Sequence, residues 1–256
     1  MTRIDFAPFP TSNFQLPTSQ LDSEPWRLLR FDADSAAEQM AFDEALAREG
    51  RPTVRLFAWR TPAISLGLRQ ARPAWLTAAA CAEHGVEVVE RPTGGAVAVH
   101  GSDLSCAVVA PHGLGFGLRP LMAAVCETIA EGLRQVGAAV AWHDAGDSTR
   151  LEYCLAQDSP YALRIGARKL GGFAVRRFAA GWLVQGSWLV GPMPEAIRRV
   201  MPTGVAAMYD AKASNLREAA GRAVTIDEVS ESVLEAWRTA WGVHTPGVST
   251  WSEHAV

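Results

Sequence analysis

The sequence predicts an α+β fold, with mixed and antiparallel β-sheets flanked by helices, on three observations. Strand-like runs at Leu151 to Ala156, Tyr161 to Ile165, Lys169 to Val175 and Gly181 to Trp188 follow one another without an intervening helix. Such spacing implies antiparallel pairing. Amphipathic stripes stand on either side of that cluster: Met122, Val125, Ile129, Leu133 and Val136 before it, and Val229, Val233, Ala236, Trp237 and Ala240 after it. With 256 residues, 48% of them apolar, the chain is long enough to bury one substantial core.

Each element has a local reason. Residues 1–25 hold Pro8, Pro10, Pro17 and Pro25 among Ser and Thr, without the charged-then-apolar order of a secretory signal, and read as an extended arm. A short strand follows from Trp26 to Phe31. Ser35-Ala-Ala-Glu38 is a capping box that opens a helix with a stripe of Ala37, Met40, Ala41 and Ala45, and Gly50 closes it. Thr53 to Trp59 and Ala63 to Gly67 flank Thr61-Pro62 and are expected to form a hairpin. Pro73 suits a first helical position, which predicts a helix running to Gly85. Val86 to Glu90 and Leu104 to Ala110 are strands. The glycines of PHGLGFG lack the spacing of a dinucleotide fingerprint, so that stretch reads as a connector before the helix from Leu118 to Val136. Thr225-Ile-Asp-Glu228 is a second capping box. One catalytic-sized domain over 26–242 is expected, with a tail at 243–256.

A net charge of −3 argues against a nucleic-acid partner. No apolar stretch approaches the length of a membrane span, and the expected location is the cytoplasm. The four cysteines, Cys81, Cys106, Cys126 and Cys154, include no CxxC pair, so neither a zinc site nor a disulfide framework is expected. His84, His112, His143, His244 and His254 have no metal-ligand spacing, and no metal is predicted. Cys81, Cys106 and Cys126 lie in apolar or helical runs and read as core.

Chemistry concentrates in two glycine-rich segments, RPTGGAVAVH from Arg91 to His100 and GARKLGG from Gly166 to Gly172. Each sets a cation beside paired glycines, which let main chain approach a guest closely. Cys154 stands fifteen residues before Lys169. A free thiol is only a few per cent thiolate near neutral pH, and a nearby ammonium favours the nucleophilic form. Lys169 is placed to supply that charge if the strands carrying the two residues pair, or to bind an acyl carbonyl.

These residues resemble the biotin/lipoate protein ligase and octanoyltransferase superfamily. Arg91, Gly94, Gly95 and His100 match its arginine–Gly-Gly–strand–histidine pattern, and Arg168-Lys169 matches its later Gly-Arg-Lys motif with one alanine inserted. The likeness extends to Met40-Ala-Phe-Asp-Glu44, Leu66-Gly67-Leu-Arg-Gln70 and Ser214-Asn215-Leu216, and so over most of residues 26 to 242. The cysteine-dependent octanoyltransferases that load the glycine-cleavage H protein look nearest. They place a cysteine seven residues before a tyrosine and that tyrosine eight before the lysine, as Cys154, Tyr161 and Lys169 stand here, with Ser159 between.

The resemblance implies a biotin/lipoate ligase-like fold and a two-step transfer. Cys154 takes an octanoyl group from acyl carrier protein as a thioester, and a lysine of a lipoyl domain or H protein then takes it as an amide. Lys169 is the second catalytic residue. Substrate contacts are implied for Arg91, Thr93, Gly94, Gly95, Ala96, Tyr161, Gly171, Gly172, Phe173 and Ala174, with His100 shaping the site. The reaction requires no cofactor. Two alternatives stand beside it: an ATP- and Mg-dependent lipoate–protein ligase with Arg91 near the phosphate, and a non-catalytic acyl- or carrier-binding protein. The second draws on departures from Lys-x-x-Gly-Ser-Ala-Gln, since Phe173 and Val175 replace Ser and Gln, and Gln185 replaces a histidine. Phe173 is expected to reshape the acyl channel. The cluster Arg164, Arg168, Lys169, Arg176 and Arg177 reads equally as a solvated strand face or as a dock for an acidic carrier.

Overall fold

The computed structural model describes residues 26–30, 32–143, 153–155 and 159–242. The expected arm and tail lie outside them, as do His244, His254 and half of the strand expected from Leu151 to Ala156. In chain order the elements are β1 (Arg27–Arg30), α1 (Ala36–Glu49), β2 (Thr53–Ala58), β3 (Ala63–Leu66), α2 (Ala78–Glu83), β4 (Glu87–Glu90), β5 (Ala98–His100), β6 (Asp103–Pro111) and α3 (Leu118–Gln135). There follow β7 (Val140–His143), β8 (Ala162–Ile165), β9 (Arg168–Arg177), β10 (Gly181–Leu189), α4 (Glu195–Val200), α5 (Thr203–Lys212), α6 (Leu216–Ala220) and α7 (Ile226–Trp241).

A seven-stranded sheet in the order β1-β2-β6-β10-β9-β8-β7 forms the body, and a three-stranded sheet, β4-β3-β5, stands beside it. Among the strands of the described residues, β1–β2 and β3–β4 pair in parallel and the other ladders are antiparallel. The expected α+β class holds. One face of the large sheet carries α3 and α7. Val108, Val184 and Trp188 meet Val125, Ile129, Val233 and Trp237 there, and Trp26 stacks edge-on against Trp241. Burying a Val, Leu or Phe side chain contributes about 1.5–3 kcal/mol, so this layer is the main source of stability. The other face receives α1, whose Leu46 and Ala47 cover Ala107, Val109 and Leu183. Ser35 and Glu38 close the capping box in both directions, and Gly50 ends α1 at φ 73°. The small sheet has its own cluster, in which Ile64, Val97 and Val99 pack with Ile197 and Tyr209 from α4 and α5.

Local signals misled in two places. β2 and β3 form no hairpin: β2 pairs with β1 and β6, while β3 crosses into the small sheet. Pro62 lies in the passage between sheets. The helix expected from Pro73 starts later, because the Thr77 side chain accepts from Ala80 N and makes Thr77 the cap of α2. PHGLGFG is a compact turn that delivers Gly117 as the N-cap of α3. β7 had no counterpart in the sequence reading; four residues with mixed exposure carry little periodicity.

Candidate active site

A cleft opens where the small sheet meets the α1-facing side of β9 and β10, and it gathers residues from both glycine segments. Arg91, Gly95, Ala96, His100, Cys154, Gly172, Phe173 and Ala174 line it together with Ser65, Ser159 and Gln185. Thr93, Gly94, Tyr161, Lys169 and Gly171 are not part of that lining.

Arg91 leaves β4 and is nearly buried. Its Nε and Nη2 donate to Gly94 O at 3.1 and 2.9 Å, Nη2 donates to Ala96 O at 2.7 Å, and Nη1 donates to both Ser65 O and Ser65 Oγ at 3.1 Å. Five N–H groups make five bonds to four acceptors, so the guanidinium is wholly engaged in folding the loop. Burial pulls its pKa below the ordinary value, and the Cys154 thiol and Tyr209 hydroxyl close by oppose that. Gly95 needs its glycine: φ is +98°, and a Cβ would stand 2.7 Å from Arg91 Nη2.

Cys154 is not on a strand. Tyr153 bridges Val97 in parallel, and Cys154 N–H donates to Val97 O at 2.9 Å, which pins the cysteine to the end of the glycine loop. Trp75 Nε1 donates to Tyr153 OH at 3.1 Å and anchors this segment from the far side. Cys154 is partly exposed, whereas Cys81, Cys106 and Cys126 are buried. Burial raises the Cys106 and Cys126 thiols well above the ordinary thiol range, consistent with core cysteines.

Lys169 reaches Cys154 through a break in strand periodicity. Simple alternation would put Lys169 with Gly171 and Phe173 on one face and Gly172 on the other. Leu163 pairs with Gly171 while Arg164 pairs with Lys169, so Leu170 is an extra residue in β9, a bulge that resets the alternation. Leu170 therefore packs in the helix-covered core, and Lys169 turns the other way. Its Nζ donates to Cys154 O and to Ser159 Oγ, both at 2.6 Å. A Cβ built on Gly172 would stand 3.5 Å from Lys169 Nζ and 3.9 Å from Cys154 Sγ, so glycine leaves the space between them open. Of the second segment's remaining glycines, Gly166 is a turn residue at φ +58°, and Gly171 lets β9 lie close on Ser187 and Trp188 of β10.

Phe173 lines the cleft together with Gly186 and Cys106 and is partly buried. Phe173, Gly186 and Cys106 are register partners across β9, β10 and β6 and share a face. A Cβ on Gly186 would lie 2.4 Å from two carbons of the Phe173 ring and 3.1 Å from Cys106 Sγ. Phe173 and Val175 pack against the core under α3 and α7, opposite the face on which Gly172 meets Cys154. Tyr161, at φ 57°, also packs against that core.

Two buried polar networks border the cleft, and most of their members went unnoticed in the sequence. Asp43 and Arg55 form a fully buried ion pair at 2.6 Å, with Arg55 also donating to Gln39 O at 3.2 Å and lying 4.1 Å from the Phe57 ring centroid. Burial raises the Asp43 carboxyl, and Arg55 and Gln185 pull it back. Gln185 Nε2 donates to Asp43 Oδ2 at 2.7 Å, and Gln185 Oε1 accepts from Thr93 Oγ1 at 2.7 Å. In the second network His100 joins Asp103 at 2.7 Å and Ser65 at 2.8 Å. Burial alone would raise the Asp103 carboxyl; His100, Ser187 and Gly101 N–H outweigh it and hold the group below the usual carboxylate range. A usable signal existed: Arg55 in TVRLFA and Asp103 before LSCAVVA are charges set in apolar strands, which demand buried partners.

Residues 35–238 match the family of lipoyl protein ligase A/B catalytic domains. The chain belongs to that family. Among curated relatives in sequence, the octanoyltransferase LipM of Moorella thermoacetica is 33% identical over 258 residues, covering 91% of this chain and 93% of that one. The octanoyltransferase LipM of Kyrpidia tusciae is 30% identical, covering 90% and 92%. Two solved structures share the fold at 18% identity. Lipoate-protein ligase A bound with ATP has a TM-score of 0.70, covering 85% of each chain. The putative lipoate protein ligase of T. acidophilum with bound lipoic acid has a TM-score of 0.68, covering 85% of this chain and 86% of that one. In this lipoyl ligase-type domain both glycine segments flank one cleft.

The basic cluster on β8 and β9 is largely engaged. Arg164 donates to His143 and Ala167 O, Arg168 pairs with Glu218, and Arg176 donates to Pro92 O at 3.0 Å. Arg177 donates to His112 and stands over Trp182. Among the described residues no helix is long and apolar enough to cross a membrane, and no group of His, Cys, Asp and Glu could hold a metal ion.

Proposed function

We propose that this chain is an octanoyl-protein transferase of lipoate biosynthesis that works through a Cys154 thioester. The Cys154 thiolate attacks the thioester carbonyl of an octanoyl-loaded acyl carrier protein, and the carrier thiolate leaves. A lysine amine of a lipoyl domain or glycine-cleavage H protein then attacks the acyl-enzyme, forming an amide and returning the thiol. Exchange between thioesters is nearly isoenergetic and thioester-to-amide transfer is downhill, so the chemistry needs no nucleotide. Covalent catalysis lets two bulky protein partners use one cleft in turn.

The observation that carries this reading is the setting of Cys154. It is the partly exposed cysteine, it lies in the cleft beside the Arg91-bound loop, and Gly172 separates it from Lys169 Nζ by open space. The Lys169 ammonium stabilises negative charge on the sulfur and on the tetrahedral oxygen, and its bonds to Cys154 O and Ser159 Oγ hold the segment still. The ligase alternative asks Arg91 to bind a phosphate, yet its five donors are taken by protein acceptors. The non-catalytic alternative weakens too, because Phe173 and Val175 pack against the core and Gln185 is hydrogen-bonded on both sides.

Intact-mass analysis tests it. Incubation with octanoyl-acyl carrier protein, with and without ATP, is expected to add one hydroxylamine-labile octanoyl group in both cases. Cys154→Ser should abolish it; an undiminished adduct in that variant, or one that requires ATP, would refute the assignment.

A further inference from the structure

Arg91 is a buried cation whose acceptors are all neutral, and among the described residues no carboxylate pairs with it. Its bonds have a directional consequence. In a trans peptide the C=O and N–H point opposite ways. Gly94 O faces the guanidinium, so Gly95 N–H points away from it; Gly95 O presses on Gly67, so Ala96 N–H points away from β3. No acceptor among the described residues takes either N–H. Both residues line the cleft that holds Cys154.

What fixes Arg91 is a chain of groups that begins at Asp103. This carboxylate is fully buried and accepts from Ser105 Oγ at 3.0 Å, Ser187 Oγ at 2.5 Å and Gly101 N at 2.8 Å. A carboxylate only accepts, so the His100 nitrogen facing it, Nδ1, carries the proton. In the neutral ring Nε2 then accepts the Ser65 hydroxyl proton, which turns the Ser65 oxygen toward Arg91 Nη1. Trp59 stacks on His100 at 4.0 Å between centroids and donates to Ser105, so the ring can neither tilt nor flip freely. Each hydrogen bond leaves the next group one orientation.

We propose that Asp103, His100 and Ser65 are positioning residues: their relay holds Arg91, and Arg91 holds the Gly94–Ala96 main chain with the Gly95 and Ala96 N–H groups aimed at the carbonyl oxygen of the acyl group on Cys154. This rests on the transferase reading and assigns the relay a task in it. The ordinary alternative is that the three residues only stabilise the junction between the two sheets.

Acyl transfer and thiol alkylation separate the two roles, because alkylation by iodoacetamide passes through no oxyanion. Ser65→Ala is expected to lower kcat for acylation of Cys154 by an octanoyl thioester about 10- to 100-fold, with KM changed less than about 3-fold. Iodoacetamide should alkylate Cys154 in the variant at the wild-type rate, and Ser65→Thr, which keeps the hydroxyl, should restore most of kcat. In an Arg91→Met background, adding Ser65→Ala should cost less than about 3-fold, since both changes act through one group. Additive losses, or alkylation falling in step with acylation, would overturn the relay. Nitrogen NMR of the wild-type enzyme tests it without a substitution: a neutral His100 protonated at Nε2 overturns it, and one protonated at Nδ1 supports it. A wild-type enzyme that takes no octanoyl group sinks the transferase reading itself; an active one indifferent to Ser65→Ala sinks only the relay.

Discussion

Gly67→Ala should cripple acyl transfer from outside the cleft lining. A Cβ at this position would stand 2.1 Å from Gly95 O, 2.9 Å from Gly95 C and 3.0 Å from Gly94 C. A carbon–oxygen contact settles near ~3.3 Å, so the loop must retreat by about 1 Å. That retreat opposes the bonds from Arg91 to Gly94 O at 2.9 Å and to Ala96 O at 2.7 Å, and the bond from Leu68 N to Thr93 O at 2.8 Å. Weakening one or two bonds to a charged donor, each contributing about 1.5–3 kcal/mol, gives a stability loss of about 2–4 kcal/mol. Misplacement of a site by about 1 Å costs on the order of 100-fold in rate. Rapid-quench mass spectrometry of Cys154 acylation measures the rate, and calorimetry the melting temperature. Gly94→Ala is the matched control, because its Cβ would meet nothing within 4 Å. Acylation by Gly67→Ala within about 3-fold of wild type, in a folded protein, would refute the claim that loop position limits the chemistry.

Phe173→Ser should leave acyl chain-length preference unchanged while costing about 2–4 kcal/mol of stability, because the ring packs on Gly186 and against the α3–α7 core. Competition among thioesters of graded chain length measures the first and denaturant unfolding the second; a shift toward longer chains would place the ring in the channel after all. Lys169→Met should cut acyl transfer by about 100-fold or more and loosen the segment around Cys154, which loses two donors at 2.6 Å. Global melting should change little, since removing a buried charge relieves its desolvation. Limited proteolysis and calorimetry compare the two effects, and a large drop in melting temperature with unchanged turnover would reduce Lys169 to a structural residue.

Fold class, the two long amphipathic helices and the antiparallel run from β8 to β10 were legible because each depends on neighbours in sequence. Ser35 with Glu38, and the stripes of α3 and α7, act within a turn or two of helix. The Thr61-Pro62 hairpin failed because turn chemistry does not say which sheet a strand will join. Cys154 was legible as a candidate through its intervals to Tyr161 and Lys169, yet the described part of the strand expected to carry it makes a single bridge, from Tyr153 to Val97.

Residue identity by itself determined that a thiol, an ammonium, a guanidinium and paired glycines were available at set intervals along the chain. Tertiary structure decided their assignments. The Leu170 bulge turned Lys169 toward Cys154 and, by the same step, left Phe173 facing the core. Arg91 became a loop clamp because Ser65, Gly94 and Ala96 surround it, and Ser65 is held in turn by His100 and Asp103. Side-chain direction in a strand has a period of two, so one extra residue reverses it, and a buried cation takes whichever acceptors the fold brings within reach. Neither is a property of a sequence interval; both follow from register and packing.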